Sequence, residues 1–162
     1  MPRLAIFAGL AALNLGSMTA HADTPAADCQ AHFTSEGSLF AGKKFTTWVE
    51  FPNVAKLEAY SRAYTAIAKD GYQIVSADKD AGVISASQSV SFGKGTTAPL
   101  VVVVEPSNTT GSKLTATFRI GGGQTVKAET VRAKLCEYLR AGQTLLSQVR
   151  LTSGYPWQEA SD

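Results

Sequence analysis

From residue 44 onward the spacing of apolar positions switches between two and roughly three and a half, and each switch marks a new element. Over residues 44–51, Phe45, Thr47, Val49 and Phe51 alternate with Thr46, Trp48 and Glu50, the pattern of a strand with one buried face, and Pro52 ends it. Asn53 is placed to cap a helix over residues 54–70. There Leu57, Tyr60, Tyr64, Ile67 and Ala68 share one face, Glu58, Arg62 and Lys69 gather opposite, and Gly71 stops the helix. Glu58 and Arg62 are spaced for an ion pair across one helical turn. Residues 72–77 and 83–92 return to an extended pattern around the turn 78–82, whose last residue, Gly82, gives the backbone freedom a hairpin needs.

Residues 93–97 read as a loop. Pro99 then opens a strand over residues 100–105 whose four consecutive valines call for an interior position, since left exposed they would invite edge-to-edge aggregation. Residues 113–120 alternate Leu114, Ala116, Phe118 and Ile120 with Lys113, Thr115, Thr117 and Arg119, a half-buried strand. After the connector 121–124, a long helix capped by Thr125 is expected to run to about Gln148. One face carries Val131, Leu135, Tyr138, Leu139, Leu145, Leu146 and Val149, and Gly142 interrupts it at a close contact or a bend. The order strand, helix, hairpin, two strands, helix gives an α+β fold. It is a two-layer sandwich in which an antiparallel sheet of about five strands carries two helices on one face.

The first 22 residues stand apart from this pattern. Arg3, the apolar stretch from Leu4 to Leu15 broken at Asn14, and Ala20-His21-Ala22 have the charge, length and small-residue ending of an export signal cleaved after Ala22. The expected organisation is a signal peptide over 1–22, an irregular arm over 23–42, one α+β domain over 43–150 and a tail over 151–162. Later residues hold no apolar run of the ~18 that a transmembrane helix needs. The expectation is a soluble periplasmic protein. Cleavage would leave 140 of the 162 residues, about one ordinary domain.

Composition narrows the function more than it names it. Without Arg3, 14 basic residues face 13 acidic ones, too even a balance for a nucleic-acid partner. Cys29 and Cys136 are the two cysteines, and in an oxidising compartment an even count reads as a disulfide. On the helical wheel Cys136 lies beside the apolar face, so the bond is expected to clamp the arm along the helix flank, outside the core. Asp28 next to Cys29, well beyond the apolar stretch, argues against a lipid-anchor cysteine.

Candidate chemistry is sparse. Residues 93–98 carry the letters of a dinucleotide fingerprint, but a strand follows where that motif needs a helix. Gly121 to Gly123 do precede a helix, yet lack the lysine and hydroxyl of a phosphate loop and read as a connector. Cys29 and His32 have metal-ligand spacing without further ligands, and His32 would be the one histidine left for nucleophilic catalysis. Asp78 and Asp80 suit a turn better than a calcium loop. Glu50, Glu58, Glu105, Glu129 and Glu137 single out no catalytic pair, and Asn108-Thr109-Thr110 fits a glycosylation acceptor that matters only in a eukaryotic secretory context. The last helix has a mild basic excess in Lys127, Arg132, Lys134 and Arg140, which a solvated face explains. No catalytic residue, cofactor or metal is expected.

Two stretches resemble a known kind. Ala59-Tyr60 through Ala68-Lys69-Asp70-Gly71-Tyr72-Gln73-Ile74, followed by Asp78, Gly82, Ile84 and Ala86 at their spacing, are similar to small exported bacterial helix-grip proteins, among them domains of the BamC outer-membrane assembly lipoprotein. The similarity spans roughly residues 55–140. It implies an envelope location and a binding or scaffolding role, and it carries over no functional residues. This chain has one such unit and no lipid-anchor cysteine. The reading is therefore a non-enzymatic binding module that engages an envelope protein or lipid through either the sheet face or the seam between sheet and long helix, and a large exposed apolar patch or a free sheet edge next to Trp48 would support it. The alternative is a carrier of a small apolar ligand in a helix-on-sheet pocket lined by Phe118 and Tyr138.

Overall fold

The computed structural model describes residues 25–89, 97–107 and 109–143. Residues 1–24, with the expected signal segment, residues 90–96, with the end of the expected strand 83–92 and most of the loop after it, Asn108 and residues 144–162 lie outside them. The chain runs α1 (Pro25–Ala31), β1 (Thr34–Ser38), β2 (Gly42–Phe51), α2 (Lys56–Lys69), β3 (Gln73–Asp78), β4 (Val83–Ser89), β5 (Thr97–Pro106), β6 (Ser112–Ile120) and α3 (Ala128–Ala141). The fold is α+β.

All strand pairs are antiparallel, in the order β1-β2-β6-β5-β4-β3. After β2, helix α2 carries the chain across the sheet to its far edge. The meander β3 to β6 then returns until β6 pairs with β2, from Lys43 opposite Ile120 to Phe51 opposite Ser112. Alternation in each central strand sends one set of side chains toward the helices: Phe45, Thr47, Val49 and Phe51; Leu114, Ala116 and Phe118; Leu100, Val102 and Val104; Ile84 and Ala86. These meet Ala59, Tyr60, Ala63 and Ile67 of α2 and Val131, Leu135, Tyr138 and Leu139 of α3. Each large aliphatic side chain so buried stabilises the fold by about 1.5 to 3 kcal/mol relative to exposure. The hairpin turn closes as expected at Gly82, whose φ is +79° and whose N–H bonds the Asp78 carbonyl at 2.9 Å. A Cβ there would sit 2.2 Å from the Val104 carbonyl oxygen.

Several expectations need correction. Among the described residues the sheet has six strands and the helices number three, because the arm forms α1 and then β1, an edge strand hairpinned onto β2. Every β1 side chain is exposed, so no burial period marks it in the sequence, and α1 is too short to show one. Helix α2 starts after Ala55, with no side-chain cap from Asn53, and α3 starts after Lys127, not Thr125. The buried face of α2 is also rotated. Ala59, Ala63 and Ile67 meet the sheet, whereas Ala68 is exposed, Leu57 is 51% exposed and Tyr64 stacks at the rim on Tyr60, ring centres 6.5 Å apart. Small residues let the helix approach, which weighting by side-chain size conceals. Gly142 marks a close contact, beside Leu114 and Phe51. The expected extension of α3 to Gln148 lies outside the described residues.

The disulfide Cys29–Cys136 forms, with Cα atoms 5.6 Å apart. It is not on the flank. Both cysteines are within the core, at 0% and 1% exposure, because α1 packs between α3 and β2 and adds a third wall that the two-helix expectation lacked. The buried Thr47 hydroxyl donates to the Cys29 carbonyl, which satisfies both groups.

Candidate functional site

With the core side chains committed to the helix side, the opposite sheet face receives the other half of each strand. Trp48 lies on it, across from Thr115 of β6. Its ring takes the His32 imidazole in a stack 3.5 Å between centres and 10° from parallel, and the Lys113 ammonium lies 4.2 Å from the ring centre. His32 Nδ1 is 3.3 Å from the Trp48 carbonyl oxygen, a contact that calls for the proton on Nδ1. Glu50 follows two residues after Trp48 and approaches Lys113 at 4.0 Å. Toward the middle of the same face come Val83, Val101 and Val103, each half-buried, with Thr46, Thr115, Thr117 and Ser85 between them. This is a flat strip of methyl and hydroxyl groups, ended by an aromatic and cationic platform.

A second feature is the seam between α3 and the sheet. Tyr72, Gln88, Phe118, Val126, Thr130, Val131, Lys134, Leu135 and Tyr138 line a cleft of about 110 Å³. At its end Tyr138 donates its hydroxyl to Asp70 Oδ2, Lys134 bonds Asp70 Oδ1 at 3.0 Å and Glu137 at 3.2 Å, and Tyr72 meets Tyr138 edge to face. The hydrogen bond from Tyr138, helped by Lys134, holds the Asp70 carboxyl below the usual carboxylate range. Burial and the same bond push the Tyr138 hydroxyl well up, so it stays protonated and donates. Burial also raises Tyr72, and the bond to Asp70 raises Lys134. The cluster joins the end of α2 to α3, and presents an ammonium and hydroxyls beside an apolar floor.

The expected contact residues divide between these two places. Phe118 and Tyr138 come together in the cleft, while Trp48 stands on the opposite face of the sheet. Asp70, Tyr72 and Lys134 belong with the cleft and had no signal in the sequence beyond their roles as helix end, strand start and surface cation. His32 is absorbed by Trp48, and Asp78 by its turn, where Oδ1 accepts the Ala81 N–H at 2.8 Å. Glu58 pairs with Arg62, as its spacing foretold, Glu137 with Lys134, and Glu50 and Glu105 sit on either side of Lys113 in register. Thr97 and Ala98 already belong to β5, so no helix follows the dinucleotide-like letters. Gly121 N–H is spent on Gln124 and Gly123 N–H on the Leu39 carbonyl, so these two amides are committed within the fold. Among the described residues, no three His, Cys, Asp or Glu side chains gather as metal ligands, and no helix is long and apolar enough to cross a membrane.

No family model matches the chain, and no curated protein does. Among solved structures, the crystal structure of protein CV1439 from Chromobacterium violaceum is similar at a TM-score of 0.30 and 15% identity, over 60% of this chain and 94% of that one.

Proposed function

We propose that this chain is an exported, non-enzymatic binding module of the bacterial envelope, freed of its signal after Ala22 and working in the periplasm. The observation that carries the reading is a sheet face that no described helix covers. Among the described residues all three helices pack on one side of a six-stranded sheet, and the other side offers Trp48, already oriented by His32 and Lys113, at the end of a Val and Thr strip. Rigid aromatic groups held at a half-buried position lose little entropy on binding, which is why they anchor interfaces. The buried disulfide supports an oxidising compartment, and the resemblance to helix-grip proteins supports the envelope. The partner is an envelope protein or lipid.

The test is capture from an envelope extract with the processed protein and with a Trp48→Ala, Lys113→Glu variant of unchanged circular dichroism. A component retained by the first and lost by the second supports the reading. Equal retention by both, or recovery of unprocessed protein from the cytoplasm alone, defeats it.

A carrier role is the second reading, and the cleft lined by Phe118 and Tyr138 favours it. At about 110 Å³ the cleft is well below the ~300 Å³ of pockets that enclose drug-sized ligands, so the ligand would be a group of a few heavy atoms. Ligand-observed magnetic resonance with short-chain alcohols and acids, against Phe118→Ala, tests it.

A further inference from the structure

The loop between β1 and β2 draws its turn chemistry from its flanks, with Gly37 at φ +100° and Gly42 at φ +87°, and carries apolar residues at its tip. Ser38 pairs with Gly42, which leaves Leu39, Phe40 and Ala41 as the loop, three apolar residues where glycine, asparagine or aspartate are normal. None of their side chains is needed to make the bend. The Ser38 hydroxyl accepts the Ala41 N–H at 3.1 Å, and the Gly123 N–H fastens the Leu39 carbonyl at 2.8 Å. Gly122 lies so close that a Cβ on it would come within 2.2 Å of the Phe40 carbonyl oxygen. The loop is thus bolted to the connector before α3, and it holds Leu39 at 45% and Phe40 at 91% exposure. A ring almost wholly exposed on a fastened loop contributes nothing to the core.

Charge completes the picture. Beside the tip, Glu36, Lys43, Lys44, Arg119, Ile120 and the neighbouring backbone enclose a shallow basin of about 340 Å³. Three of those side chains are cationic against one carboxylate. Lys44 is bound to Glu36 at 2.7 Å, and Arg119 sits across from Lys44 in register with its side chain exposed.

We infer that the β1–β2 tip docks on an anionic lipid bilayer, with Phe40 and Leu39 entering the interface and Lys43, Lys44 and Arg119 meeting lipid phosphates. A protruding ring suits a bilayer, which yields to a wedge, better than a folded partner, which would have to offer a matching hole. The cationic rim then supplies the attraction that apolar insertion alone does not, as in other interfacial anchors that need two signals. The inference deepens the proposed binding role and rests on it for the compartment. It uses a different surface from Trp48.

The test is co-sedimentation of the processed protein with vesicles of phosphatidylcholine alone and of phosphatidylcholine with phosphatidylglycerol. Expected is binding to the anionic vesicles that weakens with salt, falls about tenfold in Phe40→Ser, and falls about fivefold for each of Lys43→Gln and Arg119→Gln. A Phe40→Trp variant should be quenched by brominated lipid, which a purely electrostatic contact would not produce. Equal binding to both vesicle types, or Phe40→Ser binding as wild type does, overturns the inference. So does concentration-dependent self-association that Phe40→Ser abolishes without vesicle binding, since the tip would then serve a second copy. If vesicles fail while Trp48-dependent capture succeeds, the binding module stands and the lipid does not.

Discussion

Removing the Cys29–Cys136 bond should cost this domain a large share of its stability. The two cysteines are 107 residues apart. In the chain-entropy treatment a closed loop of that length removes about 5 kcal/mol of denatured-state freedom at 25 °C, against a total stability of about 5 to 15 kcal/mol for ordinary domains. Both sulfurs are fully buried, so alanine substitution also forfeits packing among α1, α3 and β2. We expect Cys29→Ala, Cys136→Ala to lose about 3 to 5 kcal/mol in urea unfolding followed by tryptophan fluorescence and circular dichroism, with a larger m-value because the unfolded chain is freed to expand. Wild type unfolded with and without a phosphine reductant isolates the cross-link from the packing. Helix α1, at seven residues too short to persist by itself, should lose amide protection at His32, whose N–H bonds the Asp28 carbonyl at 3.0 Å. A loss below about 1 kcal/mol with an unchanged m-value would refute the reasoning, for it would mean that the unfolded chain gains no freedom from the cut.

Other outcomes follow from single groups. Asp70 has its pKa depressed, by Tyr138 first, so its contribution is present above the unfolded value near 4 and lost as pH falls through the lower folded value. With its side chain about a third exposed that contribution is no more than about 1 kcal/mol, and Asp70→Asn should abolish the corresponding slope in urea midpoints on the acid side of the unfolded value. Tyr138→Phe should raise the Asp70 pKa toward its ordinary value by carboxyl magnetic resonance, at a stability cost of about 1 kcal/mol. Gly82→Ala should destabilise by about 2 kcal/mol or more in thermal unfolding, since both φ and the Val104 carbonyl oppose a Cβ; a neutral result would show the turn able to relax. Ser112 Oγ is buried with no hydrogen-bond partner among the described residues, so Ser112→Ala should be neutral or stabilising by up to about 1 kcal/mol, and a loss of that size would reveal a hidden partner.

What could be read from residues alone were the features that repeat along the chain. The alternation in β2 and β6 is the burial of Phe45, Val49, Leu114 and Phe118 written in sequence, and the four valines do occupy an interior strand between β4 and β6. What could not be read depends on partners distant in sequence. Strand β1 has no buried side to announce it. The place of Cys136 in the core depends on α1, which appears on the helix wheel of α3 only once its own position is known. In the cleft, Phe118 and Tyr138 were legible as large apolar residues on facing elements. Asp70, Tyr72 and Lys134 were not, since nothing local links a residue at the end of α2 to one on α3 until the sheet has brought the helices side by side.

The pairing of β2 with β6 also sets an order of events. Seven tenths of the chain must exist before Ile120 can meet Lys43, and Cys136 arrives later still. Contacts so distant in sequence form slowly, because the intervening loop must be closed before any of them is rewarded. If the chain is exported N-terminus first, as proposed above, it therefore stays pliable at least until residue 120 has passed the pore. In that case the strand that completes the sheet also serves as a timer, postponing folding until about three quarters of the chain has crossed.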